Sequence, residues 1–522
     1  MPLKSIYFLL LVAFCNPVSS QTPTWSESIS KIIYKNCTSC HRSGGSGPFS
    51  MMSYGQTFNN RNSIKFAVSQ KNMPPWPPDV KYSKLAHVRA LAEEDIDAIV
   101  KWVDGGAPSG DLNKAPQPPV YDNLGYIKNP QLIINTPKYT LQSNVDEYRC
   151  FPDSSRLNKD MWLTGMECLP GNPEIVHHIL VFRDGGTKSF QLDSRDAGPG
   201  YICFGGAGTS DAELISAWVP GSQPFILPKG FGIKIPAGSN IIVQIHYPGG
   251  AKGKSDQTQV KLQLTDQPLR ETYLVPVLNH DISMTNGPLK IPANTIKTFN
   301  QRFFVPLNFS VIGVAPHMHL IGTSIKTWAV GPDQKEIPLI NIPHWDFHWQ
   351  GIYQFEKIIK IPAGSTLWSE AIYDNTANNH HNPNFPPKEV KVGEATTDEM
   401  MITYFLFTLY QAGDETIIID SSKALTSPIA GAGTQEKEFL LFPNPVSGDH
   451  SQLVFSITKK ENIRLHVYDL VGRLVQHIQW NGLNAGTHHI ELGIADLTAG
   501  TYLVKLQGQD WQSIRKWTVI RK

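Results

Sequence analysis

The stretch Ile175–Phe182 reads IVHHILVF, Ile241–Tyr247 reads IIVQIHY, and Val314–Leu320 reads VAPHMHL. Each is a short, mainly apolar run, which predicts a buried strand, and each carries one or two histidines. In His-x-His both imidazoles lie on one face of a strand, because side chains alternate between faces. The adjacent His177 and His178 would point to opposite faces, so both can bind one metal only if the strand bends there.

The composition favours several turn-rich β domains. A length of 522 residues corresponds to three or four domains at roughly 150 residues each. The net charge of +1 gives no general attraction to nucleic acid or acidic membranes. Only 17% of residues are charged, and 41 glycines, 39 prolines and 10% aromatics exclude both helical bundles and a disordered chain. Six cysteines are too few for a disulfide-stapled miniprotein.

The first twenty residues are predicted to be a signal peptide for export. Lys4 supplies the positive charge, Ile6–Cys15 forms an apolar core, and small residues precede a cut after Ser20. Ten apolar residues are too few to cross a bilayer, which needs about 20, and no later segment is long enough. We therefore expect an exported protein with no stable membrane span, in which disulfides are allowed.

The other end of the chain is predicted to be a separate small β-sandwich, residues 438–522, after a Gly/Pro-punctuated linker over residues 424–437. The phrases Phe442–Pro445 (FPNP), Val467–Gly472 (VYDLVG) and Leu497–Tyr502 (LTAGTY) resemble the C-terminal sorting domain of type IX secretion substrates. That resemblance implies recognition by the type IX secretion machinery and a secreted or cell-surface location.

A c-type haem attachment pattern, CxxCH, lies at Cys37–His41. The thiols of Cys37 and Cys40 can form thioethers to a haem, and His41 can reach its iron. Apolar positions at helical spacing over residues 25–36 and 91–103 predict flanking helices. We therefore predict a small α-helical cytochrome c domain over residues 21–112, with one covalently attached haem c.

The sixth ligand of the iron is predicted to be Met73, which sits on a loop stiffened by prolines. His87 is the next choice. Met51 and Met52 lie closer to the attachment pattern, but core packing explains them as well. A linker over residues 113–129 would tether this domain to the rest of the chain.

The order of histidine motifs in the middle of the chain resembles one enzyme family. HH at 177–178, QIHY at 244–247, HMH at 317–319 and DEM at 398–400 follow one another as in the copper type II, ascorbate-dependent monooxygenases. The resemblance covers roughly residues 130–423. It implies two tandem antiparallel β-sandwich (jelly-roll-like) domains, residues 130–275 and 276–423, with an open, water-filled cleft between them.

The resemblance also implies two copper ions and a disulfide. Histidine alone does not select a metal, whereas a thioether favours Cu(I). The electron-transfer copper would be held by His177, His178 and His246, and the oxygen-binding copper by His317, His319 and Met400. Cys150 and Cys203 match a family disulfide, which leaves Cys168 free and buried.

Two departures from the family concern the substrate. The peptide-amidating members clamp a carboxylate with an arginine and an asparagine, and this sequence has Ala315 and Ile402 at those positions. Glycine-extended peptides are therefore not expected as substrates, and the apolar replacements hint at a less charged one. Tyr404 is retained and is expected to line the substrate pocket.

Four further histidines are not predicted to be metal ligands. His344 and His348 are predicted to pack within an aromatic strand, and His380 and His381 to lie in a surface loop.

The sequence thus predicts an exported copper monooxygenase that hydroxylates a C–H bond of a small organic substrate with O₂. Electrons would come from an external ascorbate-like donor, from the fused cytochrome, or from both; a tether raises the effective concentration of such a donor. The alternative is a non-catalytic copper-binding or electron-transfer protein on the same fold. A zinc hydrolase fits poorly, because Met is a poor zinc ligand and no HExxH motif is present.

Overall fold

The computed structural model describes residues 22–121, 125–203, 206–419 and most of 439–520; positions 443, 445, 447, 448, 470–472, 496 and 510 are outside the description. The predicted signal peptide and the linker over residues 424–437 also lie outside the described residues. The chain divides into two compact units. One contains the chain up to Pro75 together with Arg89–Tyr121, and the other contains Trp76–Val88 and the chain from Asp122 onward.

The first unit is helical. A π-helical turn, Trp25–Ile29, leads into α1 (Ser30–Asn36), and α2 (Tyr54–Asn59), α3 (Arg61–Ser69) and α4 (Glu93–Asp104) follow. The predicted apolar faces form its core: Ile29 and Ile33 pack with Ile99 and Trp102, all of them fully buried. Three acidic residues in the first turn of α4 suit the positive end of the helix dipole.

The second unit begins its β-structure with a region of two main sheets. Its strands are β1 (Leu132–Asn135), β2 (Tyr139–Thr140), β3 (Glu147–Ser154), β4 (Met161–Leu169), β5 (His178–Asp184), β6 (Tyr201–Ile202), β7 (Ala212–Trp218), β8 (Phe225–Ile226), β9 (Phe231–Ile235), β10 (Asn240–Tyr247), β11 (Ser255–Asp256), β12 (Gln259–Thr265) and β13 (Arg270–Glu271), with helix α5 (Lys188–Asp193) after β5. One sheet has the order β1-β12-β4-β9-β13, with β8 beside β4, and the other has the order β6-β3-β10-β5-β7. Fully buried residues from both sheets belong to one apolar core.

A second β region follows directly. Its strands are β14 (Tyr273–Asn279), β15 (Lys290–Ile291), β16 (Ile296–Phe304), β17 (Phe309–His317), β18 (Gly322–Val330), β19 (Glu336–Ile342), β20 (Tyr353–Ile361), β21 (Thr366–Asp374), β22 (Val390–Lys391) and β23 (Ile402–Leu409). Eight of them form two four-stranded sheets, β14-β23-β17-β20 and β16-β21-β18-β19, around a second core, and β15 pairs with β22 in a separate two-stranded sheet.

The C-terminal region has its own core between two further sheets. Its strands are β24 (Phe439–Phe442), β25 (His450–Ile457), β26 (Glu461–Asp469), β27 (Leu474–Leu483), β28 (Gly486–Gly493), β29 (Gly500–Gln507) and β30 (Gln512–Val519), in the orders β24-β25-β28 and β27-β26-β29-β30. The structure confirms a mostly β chain with several antiparallel sheets and a small helical N-terminal region. The likeness to jelly rolls stays a prediction.

The helical domain predicted over residues 21–112 is interrupted. Residues 76–88 pack with the second β region, where the Ala86 N–H donates to the Gln354 carbonyl (2.8 Å) and the Glu356 N–H donates to the Lys84 carbonyl (2.9 Å). The Ser83 hydroxyl donates to the Leu339 carbonyl at 2.7 Å. Prolines before and within this segment disfavour helix and leave extended backbone, so the segment can pair with β20.

Candidate metal centres

The first histidine set is assembled by the pairing of β5 with β10. These strands are antiparallel, and their register places His178 directly opposite His246. His177 comes one residue before β5 begins, and its N–H donates to the His246 carbonyl at 2.9 Å. His177 therefore does not follow the alternation of the strand, which is how two adjacent histidines reach the same point.

Three ring nitrogens of this set converge. His177 Nδ1 lies 3.1 Å from His178 Nδ1 and 3.1 Å from His246 Nδ1. Nitrogens bound to one tetrahedral ion at about 2 Å lie roughly 3.3 Å apart, so the observed separations suit a shared metal. The other ring nitrogen of His177, Nε2, is buried and has no hydrogen-bond partner among the described residues.

The buried rings are held in the neutral form that binds metals. Burial is the main reason why the pKa of His177 is lowered to about 3, and the neighbouring His246 and His348 contribute to that shift. Burial likewise lowers the pKa of His178 well below its ordinary value. A neutral imidazole is the ligand form of histidine, so no proton has to be displaced before a metal binds near neutral pH.

Asp146 supports the first set from outside. Its Oδ2 atom lies 3.5 Å from His246 Nε2, and Gly249 N–H and Thr396 Oγ1 donate to the same carboxylate at 2.8 and 3.1 Å. The His246 ring beside Asp146 is the main reason why the pKa of this carboxyl is lowered to about 2. A carboxylate at the far nitrogen of a ligand histidine orients the ring and makes it a better ligand.

The second set lies where β17 ends and β23 begins. His317 is the last residue of β17 and is paired with Ile402 of β23, and Met400 precedes Ile402 by two residues. The rings of His317 and His319 lie 5.1 Å apart between centroids. Met400 is buried. Burial keeps water away from its thioether, as a thioether ligand requires.

The Nδ1 atoms of both rings in this set already form hydrogen bonds. His317 Nδ1 donates to the Gln350 side-chain oxygen, and His319 Nδ1 donates to the Asp398 carbonyl at 3.1 Å. Their Nε2 atoms remain for a metal, in contrast to the first set, where the Nδ1 atoms converge. Burial lowers the pKa of His317 to about 4 and that of His319 to about 3.

A buried carboxylate ties the two segments of this set together. Glu399 accepts backbone N–H groups from His319 and Ile321 at 2.8 Å each and from Met400 at 3.2 Å. Burial raises the pKa of Glu399 to about 8. The Glu399 side chain thus fixes the position of the turn after β17 relative to Met400, which carries the thioether.

Both sets open onto one cavity of about 270 Å³. His178 of the first set lines it, as do His317, His319 and Met400 of the second. Its walls also include Ala315, Ile402 and Tyr404, the three positions that the sequence analysis connected with the substrate, together with His280, Asp281 and Glu394. Burial raises the pKa of Tyr404 to about 12, so this phenol stays protonated.

The segment around His348 is not the aromatic strand that the sequence predicts. β19 ends at Ile342 and β20 begins at Tyr353, so His344 and His348 lie in the loop between them, and both are exposed. Phe347 of this loop is buried and contacts rings of both histidine sets. The expected open, water-filled cleft is therefore partly filled by protein at this point.

Several side chains at the centres were not identified from sequence. Phe347 and Gln350 belong to no motif, and Glu399 lies within the DEM motif but was not given a role of its own. His280 lines the cavity and accepts the Met401 N–H at 3.3 Å through Nδ1. It stands outside any motif.

The CxxCH pattern of the helical unit has a compatible geometry. Cys37 and Cys40 are not in a disulfide, and the His41 N–H donates to the Cys37 carbonyl at 2.9 Å, which makes one helical turn of the motif. His41 Nδ1 donates to the Phe49 carbonyl at 3.0 Å, which leaves Nε2 for an iron. A Cβ at Gly47 would stand 2.8 Å from the His41 ring, so glycine is needed there.

Other cysteines and histidines agree with the sequence analysis. Cys150 and Cys203 form a disulfide, and Cys168 is free and buried. His380 and His381 are exposed in the loop between β21 and β22. Among the described residues, no helix is both long and apolar enough to cross a membrane.

Comparison with protein families identifies two segments. Residues 298–422 match the C-terminal domain of copper type II ascorbate-dependent monooxygenases, and residues 440–520 match the secretion system C-terminal sorting domain. The chain is also 25% identical to tyramine β-hydroxylase from Caenorhabditis briggsae over 255 residues. That alignment covers 46% of this chain and 40% of the relative, so the chain spans well under two thirds of the relative's length.

Solved structures add no further argument. A β-glucuronidase from Parabacteroides merdae aligns at 7% identity over 50% of this chain and 31% of its own, with a TM-score of 0.14. Dimeric latent PorU from Porphyromonas gingivalis aligns at 10% identity over 72% of this chain and 34% of its own, with a TM-score of 0.16.

Part of the chain is therefore similar to a class of copper enzymes. Residues 298–422 resemble the C-terminal domain of the copper type II, ascorbate-dependent monooxygenases, and a stretch of 255 residues is similar to tyramine β-hydroxylase. Its own C-terminus is a secretion sorting domain, which indicates a secreted or cell-surface protein.

The buried state of His177 predicts a pH-dependent stability in the copper-free protein. Its pKa is about 3 when folded and 6.5 ordinarily, so below pH 6.5 the unfolded chain binds a proton that the folded chain refuses. Relative to His177→Asn, the wild type should lose about 1.4 kcal/mol of unfolding free energy per pH unit below pH 6.5. Urea denaturation from pH 7 to 5 measures this difference. The exposed His380→Asn should track the wild type, and a His177→Asn difference independent of pH would contradict the assignment.

Proposed function

We propose that this protein is an exported copper monooxygenase that uses both histidine sets. In the overall reaction, a substrate C–H bond and O₂, with two electrons and two protons, give C–OH and water. Bound copper would supply one-electron transfer and the reduction of O₂. The electrons come from an ascorbate-type reductant, from the fused cytochrome, or from both.

The observation that carries this proposal is that two chemically different ligand sets line one cavity. The set of His177, His178 and His246 offers only imidazole nitrogen, which suits both oxidation states of copper. The set of His317, His319 and Met400 adds a thioether, which favours Cu(I). A pair of centres with this difference supports electron transfer at the first and oxygen chemistry at the second.

The residues of the chain then have separate tasks. Gln350, Asp398 and Glu399 hold the rings of the second set and Met400 in place, and Asp146 orients His246. Tyr404 stays protonated beside the cavity and serves as a hydrogen-bond donor to the substrate. A copper carrier without oxygenase activity is the competing proposal, and a cavity that holds substrate beside the thioether set favours the enzyme.

The walls of the cavity support a cationic substrate. Asp281 and Glu394 both line it, and burial raises the pKa of Glu394, with a further rise from the neighbouring carboxylates of Asp281 and Asp398. A protonated amine would relieve this crowding of negative groups. The relative acts, by its name, on tyramine, which is an amine. This proposal replaces the expectation of a less charged substrate.

The helical unit is proposed to carry one haem c bound to Cys37 and Cys40, with His41 as one axial ligand. Met73 is proposed as the other, because it belongs to the same compact unit as the CxxCH pattern, whereas His87 belongs to the other unit. Met51 is part of the core of the helical unit, which supports a packing role for it. Covalent fusion would make this haem an electron donor of high effective concentration for the His177, His178 and His246 set.

Export is proposed to use the signal peptide over residues 1–20 and the type IX secretion machinery, which would recognise the sorting domain of residues 438–522.

Oxygen uptake tests the enzyme proposal directly. Pulses of O₂ into anaerobic, copper-loaded and reduced protein with an arylalkylamine should give hydroxylated product in a one-to-one ratio with O₂ consumed. Met400→Ala should lower Cu(I) affinity at one of two sites by at least about tenfold and abolish coupled product. Met161→Ala, which removes a thioether from β4, should leave both unchanged. Reoxidation without product would favour the carrier.

The amine proposal predicts an effect of Glu394→Gln on substrate binding. Because Glu394 is exposed in the free protein, loss of the carboxylate should raise KM for a protonated amine by about two- to fivefold, the range for an exposed ion pair. The KM of a neutral alcohol analogue should not change. Asp333→Asn, at an exposed turn between β18 and β19, is the matched control. Equal KM changes for amine and alcohol would contradict recognition of the charge.

The haem proposal predicts a covalent haem signal in protein matured with a cytochrome c assembly system. Met73→Ala should convert the low-spin spectrum to one that binds carbon monoxide, whereas His87→Ala should not. Absence of covalent haem in the wild type would contradict the cytochrome, and a spectral change in His87→Ala alone would reassign the ligand. In stopped-flow mixing, the copper-loaded protein should reoxidise its own reduced haem.

A further inference from the structure

The loop between β19 and β20 contacts both histidine sets, and Phe347 lies at the point where they meet. Its ring is stacked on His177, with centroids 5.2 Å apart and planes 18° from parallel. Its edge meets the His319 ring at 6.0 Å and 89°. One buried side chain therefore touches a ligand histidine from each set.

The loop holds Phe347 from both sides. The Gln350 side-chain amide donates to the Phe347 carbonyl at 2.8 Å, while its oxygen accepts His317 Nδ1–H. Upstream, Trp345 Nε1 donates to the His319 carbonyl at 3.2 Å. Phe347 cannot shift without disturbing His317 and His319, because its chain neighbours Gln350 and Trp345 are hydrogen-bonded to these two histidines.

We propose that Phe347 is a positioning residue that sets the spacing between the two metal centres. This inference rests on the proposed function, in which both sets bind copper. Protein interiors are densely packed, so the rings of His177 and His319 cannot move closer together than the intervening phenyl ring of Phe347 allows. The phenyl ring therefore fixes a minimum distance between these two histidines. Its stacked and edge contacts are the arrangements that aromatic rings prefer, so they also fix the orientations of His177 and His319.

The role differs from ordinary core packing. Phe347 belongs to neither of the main apolar cores of the two β regions. Its ring contacts include a ligand histidine from each set as well as the neighbouring His348, and it lines the cavity onto which both sets open. The consequence of losing it should therefore appear at the copper ions rather than in the stability of either core.

Pulsed electron resonance on protein loaded with two Cu(II) ions measures the distance between them. Phe347→Ala should shift or broaden the distance distribution relative to wild type, because the ring that contacts both His177 and His319 is then removed. Phe347→Leu, which keeps an apolar branched side chain of similar volume, should stay close to wild type. Coupled hydroxylation by Phe347→Ala should fall on the order of 100-fold, as for a displacement of about 1 Å at a reacting site.

Each outcome decides the inference. A Phe347→Ala protein with two bound coppers and an unchanged distance distribution would overturn it. If Phe347→Ala does not fold, Phe347→Trp should lengthen the distance, and an unchanged distance in that variant would overturn the inference equally. A wild-type protein that binds fewer than two coppers would contradict the proposed function itself, and the spacing role with it.

Discussion

His177, His178 and His246 bring three imidazole nitrogens to one buried point, where His177 Nδ1 lies 3.1 Å from each of the other two. Neutral imidazoles can satisfy one another only in part, because each ring has a single proton to donate. Protonation would add positive charge to a buried cluster, and burial opposes it. A metal cation satisfies all three nitrogens at once. The nitrogens converge because β5 and β10 pair in a register that places His178 opposite His246, and because His177 departs from the alternation of the strand.

The second set also directs ring nitrogens of its histidines to one place, but with different atoms. The Nδ1 atoms of His317 and His319 are engaged by Gln350 and by the Asp398 carbonyl, so the rings present Nε2 instead. Glu399 sets the turn after β17 against Met400 through three backbone N–H groups. The two sets thus differ in ligand atoms, in ligand chemistry and in the way their rings are held, although they face the same cavity. This difference is the structural basis for assigning them separate roles.

The sequence was sufficient for features that depend on local pattern. Short apolar runs indicated the strands that carry His178 and His246, apolar positions at helical spacing indicated helices around Cys37–His41, and turn signals indicated the C-terminal β region. Features that depend on contacts distant in sequence were not predictable. Residues 76–88 pair with β20 because of backbone hydrogen bonds that no side-chain pattern encodes. The loop of Phe347 and Gln350 was mistaken for a strand because aromatic residues favour strands in general, and its role follows only from its position between two histidine sets.

Diffraction from crystals soaked with copper, recorded at the copper absorption edge, locates bound copper ions without reference to activity. Two anomalous peaks are predicted, one among the Nδ1 atoms of His177, His178 and His246 and one beside Met400 and the Nε2 atoms of His317 and His319. A single peak, or peaks at other positions, would contradict the assignment of two copper centres to one cavity.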